Sequence, residues 1–255
     1  MNLNNKVENP DMKFMITIDG PAGSGKSTIA KRLSERLGWI HVNTGSIYRT
    51  FAFICMKLKK SDPFYQNLLN LYEDQYQGSD PIEQALLIMK NDYSQNMLNG
   101  RVFIKEKELT NEIKVNEISQ LASKYAEQKN VRDALLPIQR ELINKIPKVI
   151  VDGRDMGTVV FPNAPLKLFL TASPETRAKR RFKELKGTLK NMGLNELLDE
   201  ITDRDMRDSQ RAISPLRPAT DSIIIDSSDK SIDEVINVIV KLALDKNLID
   251  HTETT

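Results

Sequence analysis

Residues 16–28 read ITIDGPAGSGKST, a short apolar run, a glycine-rich turn, then a lysine and two hydroxyl residues. From Gly20 to Ser27 the stretch fits G-x-x-x-x-G-K-[ST], and it lies between a run of strand length and a segment of helical period. Each residue type has a physical reason to be there. Glycines let the backbone wrap so that successive N–H groups point inward at phosphate oxygens, and the start of the next helix adds its positive dipole end. Lys26 can reach the β- and γ-phosphates, and the Ser27 hydroxyl can ligate Mg²⁺. The loop of Gly20, Pro21, Ala22, Gly23, Ser24, Gly25, Lys26, Ser27 and Thr28 is therefore expected to hold a nucleoside triphosphate. A second acidic position is expected where KVIVD ends at Asp152. An aspartate at the carboxyl end of a parallel strand faces the ligand crevice and can hold the metal's water shell.

The segments NTGSIYRT (43–50) and DGRDMGTVVFP (152–162) each follow a strand-like run, so both belong on the crevice side of a sheet. They carry Tyr48, Arg49, Arg154 and Asp155 toward one region. Arginines gathered there make a second anion site, because guanidinium forks match phosphate oxygens. Over 195–211 the spacing predicts a helix on which Leu197, Ile201, Arg204, Asp208 and Arg211 form one stripe. Its apolar members face the core, so the charged ones follow on the same side, where each needs an anion or a partner. Asp208 can satisfy Arg204 at i−4. That leaves Arg211 and the basic run TRAKRR, with Arg177, Arg180 and Arg181, unaccounted for. A glycine loop facing mobile arginines is what phosphoryl transfer needs, since catalysis there is mostly positioning and charge neutralisation.

The elements that position these residues can be read from periodicity. MITI, WIHV, KVIVD, LKLFL and SIIID recur between helix-length segments, the pattern of an α/β fold with a parallel sheet and helical crossovers. Ile29, Leu33 and Leu37 mark one stripe of a helix after the glycine turn. Ser173–Pro174 is an N-cap and first helical residue, and Ser231 with Glu234 is a capping box ahead of VINVIVKLAL. Residues 60–112 break the rhythm and read as an insertion, with Asn99-Gly100 signalling a small β-hairpin. Residues 183–195 read as a mobile surface segment, and the tail DKNLIDHTETT as frayed.

Composition excludes several classes. With 37 basic and 35 acidic residues there is no global field for nucleic acid or an anionic membrane, and no apolar run is long enough to span a bilayer. A single cysteine rules out an intrachain disulfide framework and suits a reducing compartment. Two histidines and one cysteine cannot build a zinc cage of the usual ligands, and a serine–histidine triad is short of imidazoles. A GTPase would carry N-K-x-D, whereas NKIP at 144–147 lacks the aspartate. The leader MNLNNKVENPDMK has no signal-peptide stretch, and the expectation is a cytoplasmic monomer with no nucleic-acid or membrane partner.

The stretches ITIDGPAGSGKST, NTGSIYR, VDGRDMGTVVFP, LKLFLTAS and RDMRDSQRAISPL, in that order, closely resemble bacterial cytidylate kinases, a family of P-loop nucleoside monophosphate kinases. The resemblance implies a five-stranded parallel core, a monophosphate-binding region over about 46–132 with the insert at 60–112, and a short lid over about 177–195. It places these in a single domain spanning 13–245, with flexible tails at 1–12 and 246–255. It implies transfer of the ATP γ-phosphoryl group to CMP or dCMP with Mg²⁺ held by Ser27 and Asp152. By matching positions, Ser123, Arg132 and Asp155 resemble the cytosine readers, and Tyr48, Arg204 and Asp208 the sugar contacts. Arg49, Arg154 and Arg211 resemble the phosphate clamp, with Lys26, Arg154 and Arg211 catalytic and Thr44 beside the acceptor. Arg177, Arg180 and Arg181 would contact ATP from the lid. Asn43 stands where the family commonly has Asp, and Lys114 and Val115 replace the arginine and threonine of its IRT triplet; Lys114 is not expected to be a site residue. A P-loop kinase of another acceptor, UMP or a small alcohol, and a nucleotide-dependent switch ATPase are the alternatives.

Overall fold

Strand β1 (Phe14–Asp19) is buried along nearly its whole length, as an unbroken apolar run in a parallel sheet requires. The computed structural model describes residues 14–96, 100–184 and 193–250. Four more parallel strands flank β1: β2 (Ile40–Asn43), β6 (Lys148–Asp152), β7 (Leu166–Thr171) and β8 (Ile223–Asp226), in the order β2-β6-β1-β7-β8. These are the five runs expected from the sequence. Between β2 and β6 a second, antiparallel sheet is formed by β3 (Tyr93–Gln95), β4 (Val102–Ile104) and β5 (Lys107–Glu108).

Alternation along β1 sends Ile16 and Ile18 to one face and Met15 to the other. On the first face α1 (Lys26–Leu37) and α9 (Ile232–Asp245) lay Ile29, Leu33, Val235 and Ile239 on the sheet. On the second, Ile143 of α6 (Lys129–Asn144) packs with Val149, Val151 and Met156. A further core, around Phe51, Ile54 and Tyr65, joins α2 (Gly45–Lys59), α3 (Pro63–Asn70), α4 (Pro81–Asp92) and α5 (Asn116–Tyr125) to the small sheet. Ala178 of α7 (Pro174–Glu184) meets Leu197 and Ile201 of α8 (Leu194–Gln210) in a separate small cluster.

The expected caps are present: Ser173 Oγ accepts from Thr176 N at 3.2 Å, and Ser231 and Glu234 exchange the reciprocal bonds of a capping box. Two features differ from expectation. The insert holds two helices as well as strands, each opened by an Asp N-cap and a Pro, Asp62–Pro63 and Asp80–Pro81. Those paired signals are in the sequence, though the surrounding periodicity is weak. The tail stays ordered as far as 250, because Leu248 and Ile249 are buried against the α1–α9 core. Asn99 of the expected hairpin turn, residues 185–192 of the expected lid, residues 1–13 of the leader and 251–255 of the tail lie outside the described residues.

Candidate active site

Strand order makes the carboxyl ends of β1, β2 and β6 one edge, and the loops leaving them converge there. Gly20, directly after β1, has φ 148°, and a Cβ on it would stand 2.0 Å from the Leu170 carbonyl oxygen. Only glycine lets the loop pass β7 this closely. The loop then wraps onto the start of α1. Lys26 Nζ donates to Pro21 O at 2.5 Å and to Ser24 Oγ at 3.2 Å, so the ammonium lies folded against its own loop. Burial, then the nearby Arg154, push it well below the ordinary lysine pKa.

Ser27 Oγ donates to Asp152 Oδ2 at 2.8 Å. Register explains the contacts around them, because Asn43 pairs with Asp152 across β2 and β6. Asn43 Nδ2 donates to Ser27 Oγ at 2.8 Å, while its Oδ1 accepts from Arg49 Nη2 at 3.3 Å. His41, two residues earlier on the same face, places Nε2 2.6 Å from Asp152 Oδ1. Burial alone would raise the Asp152 carboxyl; the His41 and Ser27 bonds overcome it and hold the group below its ordinary value.

Facing this lies the charged stripe of α8. Asp208 is buried and central: its Oδ1 accepts from Ser123 Oγ at 2.9 Å and its Oδ2 from Arg154 Nε at 3.0 Å. Burial opposes its charge, but Arg154, Arg204 and Arg211 together keep its pKa low. Arg204 Nε is 3.9 Å from the same carboxylate, beyond hydrogen-bond reach. Arg211 has already left the helix, with ψ 139°, and its Nε donates to Ser214 O at 2.6 Å. Deeper in, Arg132 pairs with Asp155 and lies 5.6 Å from the centroid of the Tyr48 ring. Arg49 Nε, Arg204 Nε and Arg211 Nη2 are buried and find no hydrogen-bond partner among the described residues. Burial pushes Arg49 down to about 10 and Arg204 to about 9, with neighbouring arginines adding to both. Such a set of cations has room for phosphate oxygens.

One cleft of about 320 Å³ is lined by Lys26, Ser27, Thr28, Thr44, Tyr48, Arg49, Ser123, Arg132, Asp152, Arg154, Asp155, Arg181, Arg204, Asp208 and Arg211. Of the loop, Ala22, Gly23 and Gly25 line it too, while Gly20 and Pro21 shape the turn behind it. Ser24 and Arg180 line an adjoining pocket with Thr28, Ile29, Ser227 and Ile232. Arg177, expected at the ATP site, lines neither pocket. It is buried, donating to the Ala172 and Ala22 carbonyls and pairing with Asp205. Lys114, set aside in the sequence, lines the cleft, as do Asn43, Ser119 and Gln139. The alternation of His41 and Asn43 along β2 was the legible signal for the contacts to Asp152; for Gln139 the signal was its position two turns after Arg132 on one helix face.

A parallel sheet with a phosphate loop, opposed across one cleft by a battery of arginines, defines a P-loop kinase. The cytidylate kinase family profile matches residues 16–245. A cytidylate kinase of Thermotoga neapolitana is 43% identical over 231 residues, covering 91% of this chain and 97% of that one. Cytidylate kinases of Pseudomonas fluorescens and Thermosipho melanesiensis are each 42% identical, covering 89% and 92% of this chain and 93% and 99% of their own. The chain belongs to the cytidylate kinase family.

Proposed function

We propose that this protein transfers the γ-phosphoryl group of ATP to CMP or dCMP, giving ADP and CDP or dCDP, as a Mg²⁺-dependent cytoplasmic monomer. No helix among the described residues is long and apolar enough to cross a membrane.

The observation that carries the reading is the buried Arg132–Asp155 pair, which lines the same cleft as Ser123 and the phosphate loop. Cytosine offers an amino donor next to ring-nitrogen and carbonyl acceptors. Asp155 takes the amino group, while Arg132 and Ser123 donate to the acceptors. Uracil lacks the amino group and leaves a buried carboxylate unpaired. Tyr48, Arg204 and Asp208 contact the sugar, and Thr44 lies beside the acceptor. Arg49, Arg154 and Arg211 clamp the acceptor phosphate through nitrogens of which two, Arg49 Nε and Arg211 Nη2, are without partners among the described residues. Residues Ala22 to Thr28 hold the donor phosphates, and the adjoining pocket with Ile29, Arg180 and Ile232 takes the donor's base. Arg181 lines both spaces.

Ser27 and Asp152 fit Mg²⁺, because a hydroxyl and a carboxylate oxygen 2.8 Å apart are donors suited to a hard cation. When bound, the ion supplies neutralisation of charge on the donor's phosphate oxygens. No general base is required, since the acceptor phosphate is already an anion at neutral pH. The obstacle is repulsion between two anions, which Lys26, Arg154 and Arg211 offset, and exclusion of water favours transfer over hydrolysis. A coupled ADP-release assay with Mg-ATP and each monophosphate tests the reading. Fast release with CMP and dCMP, slow with UMP and none with AMP or GMP is expected. ADP release independent of any acceptor would refute it.

A further inference from the structure

Asp19 ends β1 immediately before the phosphate loop and is buried. Its Oδ2 accepts from Gly157 N at 2.8 Å and its Oδ1 from Met156 N at 2.9 Å. Those amides open the single π-helical turn Met156–Val160, whose N-cap is Asp155. The first N–H groups of any helical turn lack partners within it, and the N-cap side chain ordinarily supplies an acceptor. Here the Asp155 side chain makes no capping bond, because its carboxylate is turned to Arg132. Two outside residues hold the turn instead. Asp19 closes its start, and Arg140 closes its end by donating to Val159 O and Val160 O at 3.1 Å each. Gly157 fits because a Cβ would stand 3.2 Å from both Thr17 Oγ1 and the Lys167 side chain.

We propose that Asp19 is a positioning residue for acceptor choice: by capping the 156–160 turn from the neighbouring strand, it frees the Asp155 carboxylate to read the base. It also ties the acceptor-reading turn to the residue from which the phosphate loop departs. Asp155 itself has φ −145° and ψ 25°, outside helical values, so its direction depends on how the next two amides are held. Asn at 19 keeps the shape but offers one acceptor where two amides need one, and turns an NH₂ toward the other N–H. The inference rests on Asp155 being the cytosine reader.

The test measures kcat/KM for CMP and for UMP at pH 8 in D19N, D155N and D19N/D155N, with the dissociation constant of a non-hydrolysable ATP analogue alongside. The CMP:UMP ratio is expected to fall at least tenfold in D19N, while analogue binding stays within threefold. In the double variant the ratio should stay within twofold of D155N, because a residue acting through Asp155 has nothing further to lose. A D19N ratio within twofold of wild type, or additive losses in the double variant, would overturn the proposal. If D155N itself leaves the ratio unchanged, the base-reading assignment fails instead, and the Asp19 proposal falls with it. D19E, which keeps the charge but displaces the oxygens, gives the same test should D19N not fold. Failure of both to fold would assign Asp19 to sheet stability and overturn the positioning role.

Discussion

Asp208→Asn isolates the electrostatics of the arginine wall from its shape. In the wild type this buried carboxylate bonds Arg154 at 3.0 Å, faces Arg204 at 3.9 Å, and accepts from Ser123. Removing one charge of a buried pair typically destabilises by about 3–5 kcal/mol, because the partner stays desolvated and unpaired. Arg154 retains 21% exposure of its side chain and Asn keeps an acceptor, so the lower end, about 3 kcal/mol, applies. For a chain of this size that is a melting-point loss of about 6–12 °C. The sign with pH follows from the depressed Asp208 pKa. Its contribution is fully present above the unfolded aspartate value near 3.8 and disappears as pH falls through the lower folded value. Thermal melts should therefore show a gap that is flat from pH 6 to 8 and narrows below about pH 4. Inorganic phosphate should narrow the gap at neutral pH, by giving the uncompensated arginines an anion. A melting point within 2 °C of wild type, or a deficit indifferent to phosphate, would refute the view of Asp208 as the charge that holds this wall together.

Two further outcomes follow from the same structure. Arg211→Ala should lower kcat by roughly 10³-fold while changing the ATP dissociation constant less than threefold, since its Nη2, without a partner among the described residues, is placed to act on charge in transit; equal losses in single-turnover rate and ATP binding would count against a bridging role. Leu248→Ala should destabilise the protein by about 2–5 kcal/mol in chemical denaturation, because the side chain is buried in the α1–α9 core; a truly frayed tail would show no change.

What the sequence made legible divides along physical lines. The five core strands, the phosphate loop and both caps depend on local pattern and turn chemistry, which a single chain displays directly. The stripe from Leu197 to Asp208 was equally plain, because helical spacing alone puts those residues on one side. Arg211 reaches the cleft only after the helix has ended, so spacing identified its side but not its backbone. For Arg177 the limit is a different one. A basic run announces charge, yet only the packing of α7 on α8 reveals that Asp205 and the Ala22 carbonyl hold this arginine away from the pockets. The capping by Asp19 was likewise out of reach, since donor and acceptor lie 137 residues apart and meet only across the sheet.

The cleft satisfies itself wherever its own residues can meet. Arg132 pairs with Asp155, Arg154 with Asp208, and Lys26 folds onto Pro21 O. Each of these must exchange an internal partner for a substrate atom, so the corresponding contacts add little net affinity. They still discriminate, because a wrong base opens the Arg132–Asp155 pair without replacing it. Arg49 Nε and Arg211 Nη2, without partners among the described residues, behave in the opposite way. Nothing internal is surrendered when they meet phosphate oxygens, and charge moving between two phosphates strengthens those contacts in the transition state. Selectivity therefore resides in the Arg132–Asp155 pair and rate in the phosphate-facing cations, and substitutions at 132 or 155 should alter which acceptor is used, whereas substitutions at 49 or 211 should alter how fast any acceptor is phosphorylated.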